Sequence, residues 1–143
     1  MLIDQISVFI ANKHGRLAEL TDILSSAQID IRALSIADTA DFGVLRLIVN
    51  DPAKAVEVLK SNNVTAKLTK VIAARLDDCP GALASVLNIL AKADIPVEYT
   101  YAFLSPRGAD ACVILRVDDN DAAVAALAAG GVKLLSETDV YRL

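Results

Sequence analysis

Hydrophobic and polar positions follow two periods along this chain, and the change from one to the other predicts its elements. Ile6, Val8 and Ile10 alternate with polar or small residues, which is the period of a half-buried strand. Over residues 16–27, apolar side chains recur every three or four positions and form one helical stripe. Residues 29–37 and 42–49 predict two more strands, with turn chemistry between them at residues 38–41.

A second helix and a last strand complete the first half of the chain. Asp51 offers a capping carboxylate, and Pro52 suits the first helical position. The helix continues through Leu59, and a further strand starts at Val64. The first half therefore predicts the order βαββαβ.

The second half repeats the first. Seven residues recur 66 positions later: Gly15, Leu17, Ala18, Ile23, Leu24, Ala27 and Ile29 as Gly81, Leu83, Ala84, Ile89, Leu90, Ala93 and Ile95. The later copy has two extra residues between its second and third strands, so matching residues beyond that point lie 68 positions apart. The repeat predicts strands at residues 70–76, 97–104 and 111–117, and helices at residues 82–93 and 121–129. Residues 136–139 resemble a capping box and predict a short final helix.

We therefore predict an α+β fold of two tandem ferredoxin-like βαββαβ units, each an antiparallel sheet with its helices on one face. The units are expected at residues 1–68 and 69–143. Some strands, including the one with Leu34 and Ile36, are apolar on both faces, although helices cover only one. Large apolar patches are rare on soluble monomers. We expect a homodimer or higher homo-oligomer, with a monomer of two paired units as the alternative.

Composition and charge exclude several partners. The chain is 55% hydrophobic, carries a net charge of -4 and contains no Trp. The chain has few aromatic side chains on which bases could stack, and its negative charge repels phosphate groups. Both features argue against a nucleic-acid partner. No stretch approaches the roughly 20 apolar residues that a membrane span needs, and the start of the chain does not resemble a signal peptide, so we expect no membrane partner and a cytoplasmic location. The spacing of Cys79 and Cys112 favours neither a metal site nor a disulfide.

The candidate functional residues lie where the first strand of each half meets its helix. Each turn places a short polar side chain three residues before a glycine that precedes the helix. Glycine lets a ligand approach the backbone, and the positive end of a helix attracts a carboxylate. Asn12 or Asp78 then binds an amine or caps the helix, and a tight turn with a capping residue is the alternative interpretation. The two matching turns are Asn12, Lys13, His14, Gly15, Arg16 and Leu17, and Asp78, Cys79, Pro80, Gly81, Ala82 and Leu83.

These turns, set in βαββαβ units of about 70 residues, resemble the Asn/Asp-x-Pro-Gly-x-Leu turn of the ACT domain. The resemblance covers essentially the whole chain, as two ACT units with no catalytic domain. It implies a regulatory module that binds a small ligand, commonly an amino acid, where the turn of one unit faces a strand of its neighbour. In the first turn His14 replaces the proline, so that turn is expected to be looser and its pocket to differ.

The other candidate side chains have more than one interpretation. His14 and Arg16 could bind a ligand carboxylate or be solvated. Cys79 precedes a helix start but lacks a partner base. Ser35, and Tyr99 and Tyr101 near the matching position of the second half, could line an interface pocket or simply pack. A single histidine excludes a multi-histidine metal site within one chain, so we expect no metal and no cofactor.

The sequence predicts regulation rather than catalysis. It contains none of the phosphate-binding loops, nucleophile elbows or metalloprotease motifs that mark common enzymes. We expect a non-catalytic protein that senses a small molecule, most simply an amino acid. The alternative is an adaptor subunit that acts only through contacts with a metabolic enzyme. Nothing in the turns selects one amino acid.

Overall fold

The computed structural model describes residues 1–11, 13–38, 41–104 and 110–142. The chain divides into two compact units, Asp4–Thr69 and Met1–Ile3 with Lys70–Leu143. The boundary between Thr69 and Lys70 lies within one strand, because the two predicted strands on either side of it are a single continuous element.

The first unit contains the predicted elements in the predicted order. They are β1 (Ile3–Ala11), α1 (Arg16–Ser26), β2 (Ile31–Asp38), β3 (Phe42–Val49), α2 (Pro52–Ser61) and the start of β4 (Ala66–Asp77). The sheet order is β2-β3-β1-β4. In its antiparallel register, Leu47 pairs with Ile6 of β1 on one side and with Leu34 of β2 on the other.

The first core lies between this sheet and its two helices. Ile6, Val8 and Leu47 point from the strands, and Leu24 and Leu59 meet them from α1 and α2. Each of these side chains is 1% exposed or less. The alternating strand pattern and the helical stripe therefore face each other, as their periods predict.

The second unit repeats this arrangement. Its elements are the rest of β4, α3 (Ala82–Lys92), β5 (Val97–Leu104), β6 (Asp110–Val117), α4 (Asn120–Ala129), β7 (Leu134–Leu135) and α5 (Glu137–Tyr141). The sheet order is β7-β4-β6-β5, and β4 pairs with β6 and β7 in antiparallel fashion. Ile72, Val113 and Leu115 pack against Leu90 and Leu127 of the helices in the second core.

The last strand of the second unit is short because a helix begins directly after it. The side chain of Ser136 accepts a hydrogen bond from the Asp139 amide, and the Asp139 carboxylate accepts one from the Ser136 amide. These backbone and side-chain hydrogen bonds from Ser136 hold the pKa of Asp139 below its usual value. The predicted capping box is confirmed, and it ends β7 after two residues.

The starts of two strands differ by two residues from the sequence prediction. β2 starts at Ile31 rather than residue 29, and β4 starts at Ala66 rather than residue 64. In both places the chain first leaves a helix through a residue with positive φ, Gln28 (60°) or Asn63 (60°). The middle of the predicted turn, residues 39 and 40, lies outside the described residues.

Candidate functional site

The two candidate turns have the same backbone geometry. Gly15 has φ 78° and ψ -4°, and Gly81 has φ 90° and ψ -11°. The Arg16 amide donates to the Lys13 carbonyl at 3.2 Å, and the Ala82 amide donates to the Cys79 carbonyl at 3.4 Å. This is the pattern of a type II turn, which requires positive φ at its third residue and therefore favours glycine there. His14 and Pro80 occupy the same turn position, so the missing proline leaves the fold of the first turn unchanged.

The helices that follow these turns each begin at a glycine. Gly15 is the N-cap of α1 and Gly81 the N-cap of α3, and among the described residues no side chain caps either helix; Asn12 lies outside them. By contrast, Asp51 caps α2 and Asp119 caps α4 through carboxylate hydrogen bonds of 3.1 and 3.0 Å. The capping role considered for Asp78 is therefore wrong, because the glycine itself is the N-cap of α3.

No side chain in the described part of the chain satisfies the free amides at the start of α1 or α3. The first amides of a helix have no partner inside the helix, and the helix dipole adds positive potential there. A Cβ added to Gly15 or Gly81 would meet no atom within 4 Å, so the approach to these amides is open. The two turns together offer two matching places for an anionic group, such as a carboxylate.

The second turn borders a cleft of about 670 Å³ within its unit. Four predicted residues line this cleft, namely Cys79, Pro80, Gly81 and Ala82, whereas Asp78 and Leu83 do not. The other walls come from the end of β4, from Asp110 and from residues 131–133. Four charged side chains, Arg75, Asp77, Asp110 and Lys133, line it as well. Equal numbers of positive and negative groups suit a zwitterion.

Arg75, Asp110 and Lys133 were not predicted from the sequence. The Arg75 guanidinium forms an ion pair with the Asp110 carboxylate, and the Arg75 amide donates to the Lys133 carbonyl at 2.8 Å. The register that pairs Asp77 with Asp110 brings these distant residues to the turn. The repeat contains a signal for two of them, because two matching positions change from aromatic to charged. Shifts of 66 and 68 place Arg75 and Asp110 where the first half has Phe9 and Phe42.

The first turn borders a smaller cleft of about 400 Å³. Lys13, His14, Gly15 and Arg16 line it, together with Glu19 from the first turn of α1. The Arg16 guanidinium contacts the Glu19 carboxylate at 2.9 Å. Asn12 lies outside the described residues, and Leu17 is exposed without lining this cleft.

The candidate strand residues lie away from both turn clefts. Ser35 pairs with Arg46 on β2, while Tyr99 and Tyr101 pair with Arg116 and Ile114 on β5. None of the three lines either turn cleft. Within one unit, the turn and the strand residues therefore form separate sites.

The described residues hold no group of three metal-binding side chains, and none of their helices is both long and apolar enough to span a membrane. Cys79 is free and exposed, and Cys112 is free and buried. Burial raises the pKa of the Cys112 thiol to about 12, so this thiol stays protonated at neutral pH.

Two matching glycine turns and a duplicated βαββαβ order define a pair of ferredoxin-like units. A family model described as the ACT domain pair matches residues 1–143. The chain therefore belongs to the ACT domain pair family, as the resemblance of the turns implied.

Three solved structures are similar to this chain over most of its length. The protein BT0572 from Bacteroides thetaiotaomicron is 40% identical, with a TM-score of 0.94, and the match covers 100% of this chain and 98% of that one. The ligand-free regulatory subunit of aspartate kinase from Thermus thermophilus has 16% identity and a TM-score of 0.64 over 89% of this chain and 91% of its own. The corresponding subunit from Thermus flavus has 17% identity and a TM-score of 0.61 over 92% and 95%. These two share the fold. No curated protein matches the chain.

Proposed function

We propose that the protein is a non-catalytic regulatory protein that binds a small molecule, most simply an amino acid, at the turn of its second unit. The observation that carries this proposal is the uncapped start of α3 beside a cleft of mixed charge. The amides at the start of the helix receive the ligand carboxylate, with Lys133 nearby. Asp77 and Asp110 are the groups suited to its ammonium. Regulation follows if the ligand binds one conformation of the protein more tightly than another.

A panel of the common amino acids in thermal melts tests this proposal. A ligand that binds only the folded protein raises the melting temperature, and the shift grows with the logarithm of the ligand concentration once that concentration exceeds Kd. Calorimetry then measures the affinity of any amino acid that shifts the melt. We expect Gly81→Val to abolish binding, because the added side chain blocks approach to the amides and strains a residue at φ 90°.

Gly131→Val is the matched control for Gly81→Val. Gly131 also has positive φ, at 79°, and also lines the cleft, but it lies at the end of α4 rather than at the start of α3. We expect this variant to lose stability while its ligand still reaches the helix amides. Equal affinity in wild type and Gly81→Val would place the site elsewhere, and a panel without any melting shift would reject amino-acid sensing.

An adaptor role is the second candidate, because apolar side chains are exposed on one edge of the first sheet. Leu34 is 50% exposed and Ile36 43% exposed on β2. The two Thermus proteins are regulatory subunits of aspartate kinase, so a metabolic enzyme is the partner class to test. Capture of such an enzyme by the wild type but not by Leu34→Lys, with no amino-acid response, would favour the adaptor.

We further propose a cytoplasmic location and a homodimeric assembly. Two free cysteines support a cytoplasmic protein, because unpaired thiols are usual in reducing compartments. The exposed apolar residues of β2 support a homodimer. The domain limits 1–68 and 69–143, and a ligand position between neighbouring ACT units, stay predictions from the sequence and its family resemblance.

A further inference from the structure

Two strands pass from one unit of the chain into the other. β1 begins in the second unit and enters the first between Ile3 and Asp4. β4 begins in the first unit and enters the second between Thr69 and Lys70. Neither strand contains a glycine or a proline, so neither has a residue that favours a hinge or interrupts the strand. The chain therefore crosses the boundary in continuous strands and not in a flexible linker.

Each crossing strand is anchored in one unit and ends at the candidate turn of the other. Leu2 packs against the second core, and the strand that follows it ends at Ala11, close to the first turn. Ala66 belongs to the first core, and its strand ends at Asp77, directly before the second turn. Rigid secondary structure can carry energetic coupling between distant sites. A change at either turn therefore acts on a strand that is anchored in the other unit.

A short chain of hydrogen bonds, the Gln5–Ser7–Thr69 bridge, ties the two crossing strands together within the first unit. The Gln5 side-chain amide on β1 donates to the Ser7 hydroxyl at 3.1 Å, and the Ser7 and Thr69 hydroxyl oxygens lie 3.1 Å apart across β1 and β4. Among the described residues, Gln5 and Ser7 are the buried polar side chains, at 0% and 5% exposed. Burying polar groups is unfavourable unless they are hydrogen-bonded, so these bonds fix how the two strands lie against each other.

The second unit has apolar residues where the first has this bridge. A shift of 66 from Gln5 and Ser7 reaches Val71 and Ala73, which are both fully buried. Apolar side chains therefore satisfy the packing at this place in the fold. The polar pair of the first unit serves another purpose, and its position beside both crossings indicates that this purpose is to hold the strands together.

We propose that the two crossing strands, held together by the Gln5–Ser7–Thr69 bridge, couple the two turns. A ligand at one turn then changes the affinity of the other, and thermodynamic linkage requires the same factor in both directions. The coupling also links the stabilities of the units, because a unit that opens releases a strand that it shares with the other. The inference rests on the proposed function for the role of the turns as ligand sites, but the link between the units is tested without any ligand.

Native-state hydrogen exchange measures this link in the protein alone. Leu90→Ala removes a fully buried side chain from the second core, and Val86→Ala is a milder change in the same helix. The slowest-exchanging amides of β3 and α2 report on the first unit, because both elements lie entirely within it. We expect their exchange to accelerate at least about tenfold in Leu90→Ala and about threefold in Val86→Ala. Unchanged exchange of these amides in either folded variant would overturn the proposal.

Hydroxyl variants test whether the bridge carries the link. Thr69→Val removes one hydroxyl of the bridge and keeps the shape of the side chain. In this background the acceleration caused by Leu90→Ala should fall by roughly fivefold, the factor that one hydrogen bond typically contributes to an equilibrium. Thr100→Val is the matched control, since the Thr100 hydroxyl donates to the Ile114 carbonyl at 2.7 Å within the second unit, on a strand that does not cross. Equal acceleration in the two backgrounds would contradict the role of the bridge.

A substitution in one turn, read out at the other, tests the coupling of the turns themselves. Gly81→Val strains the second turn, and we expect it to shift the amide NMR signals of residues 13–16 in the first turn. Gly131→Val strains a residue of the same unit that lies on neither crossing strand, and should leave those signals unchanged. Unshifted signals in folded Gly81→Val, or equal shifts in both variants, would overturn the coupling. Amino-acid melts test the proposed function separately, so failure of one proposal is distinguishable from failure of the other.

Discussion

Two cysteines of this chain are chemically alike in the unfolded protein but not in the folded one. Cys79 is exposed in the second turn, whereas Cys112 is 1% exposed on β6 and pairs with Arg75 of β4. Burial raises the pKa of Cys112 to about 12 because the interior disfavours the thiolate. We expect iodoacetamide to modify Cys79 in the native protein and Cys112 only after unfolding, as mass spectrometry would show.

The same burial makes stability depend on alkaline pH. The unfolded thiol loses its proton near its ordinary pKa of 9.0, and the folded thiol keeps it to about 12. The native state therefore binds more protons in this range, and the free energy of unfolding falls by up to about 1.4 kcal/mol per pH unit between roughly pH 9 and 12. Urea melts of the wild type and of Cys112→Ala across this pH range measure how much of the pH dependence of stability comes from Cys112. Identical pH slopes for the two proteins would contradict it.

At the scale of the elements, the helix starts separate acidic residues that cap a helix from an acidic residue that does not. Asp51 and Asp119 accept hydrogen bonds from Lys54 and Ala122 amides at 3.1 and 3.0 Å, so replacing either with Ala should cost about 1 kcal/mol. Asp78 makes no such bond to α3, so Asp78→Ala should change stability by less than about 0.5 kcal/mol. Chemical denaturation of the three variants measures the difference. An Asp78→Ala loss equal to that of Asp119→Ala would mean that α3 is capped in solution.

Whether a segment forms a helix or a strand was predictable, because its hydrophobic residues recur with one dominant spacing. The alternation at Ile6 and Val8 and the helical stripe at Leu20 and Leu24 place the same residues in the core that the structure buries. The turn was predictable because glycine is required at positive φ, as at Gly81. The charged walls of the second cleft were missed, because strand register and not sequence proximity brings Arg75 and Asp110 together.

At the scale of the whole molecule, the first sheet has an open edge at β2. Among the described strands, β3 alone pairs with β2, and Leu34 and Ile36 project from this edge strand half exposed. An apolar edge strand invites pairing with another chain unless it is covered. The proposed homodimer covers it with a second copy.

Leu34→Lys/Ile36→Lys should therefore convert the dimer into a folded monomer, because burying two charges in an apolar interface is unfavourable. Light scattering coupled to size exclusion measures the mass, and the melting curve confirms folding. Leu68→Lys is the control, since Leu68 is similarly exposed, at 44%, but lies on β4. A monomeric wild type, or a dimer that survives the double substitution, would contradict the assembly. Ligand binding by the monomeric variant would further show that each chain holds a complete site, whereas its loss would place part of the site on the second copy.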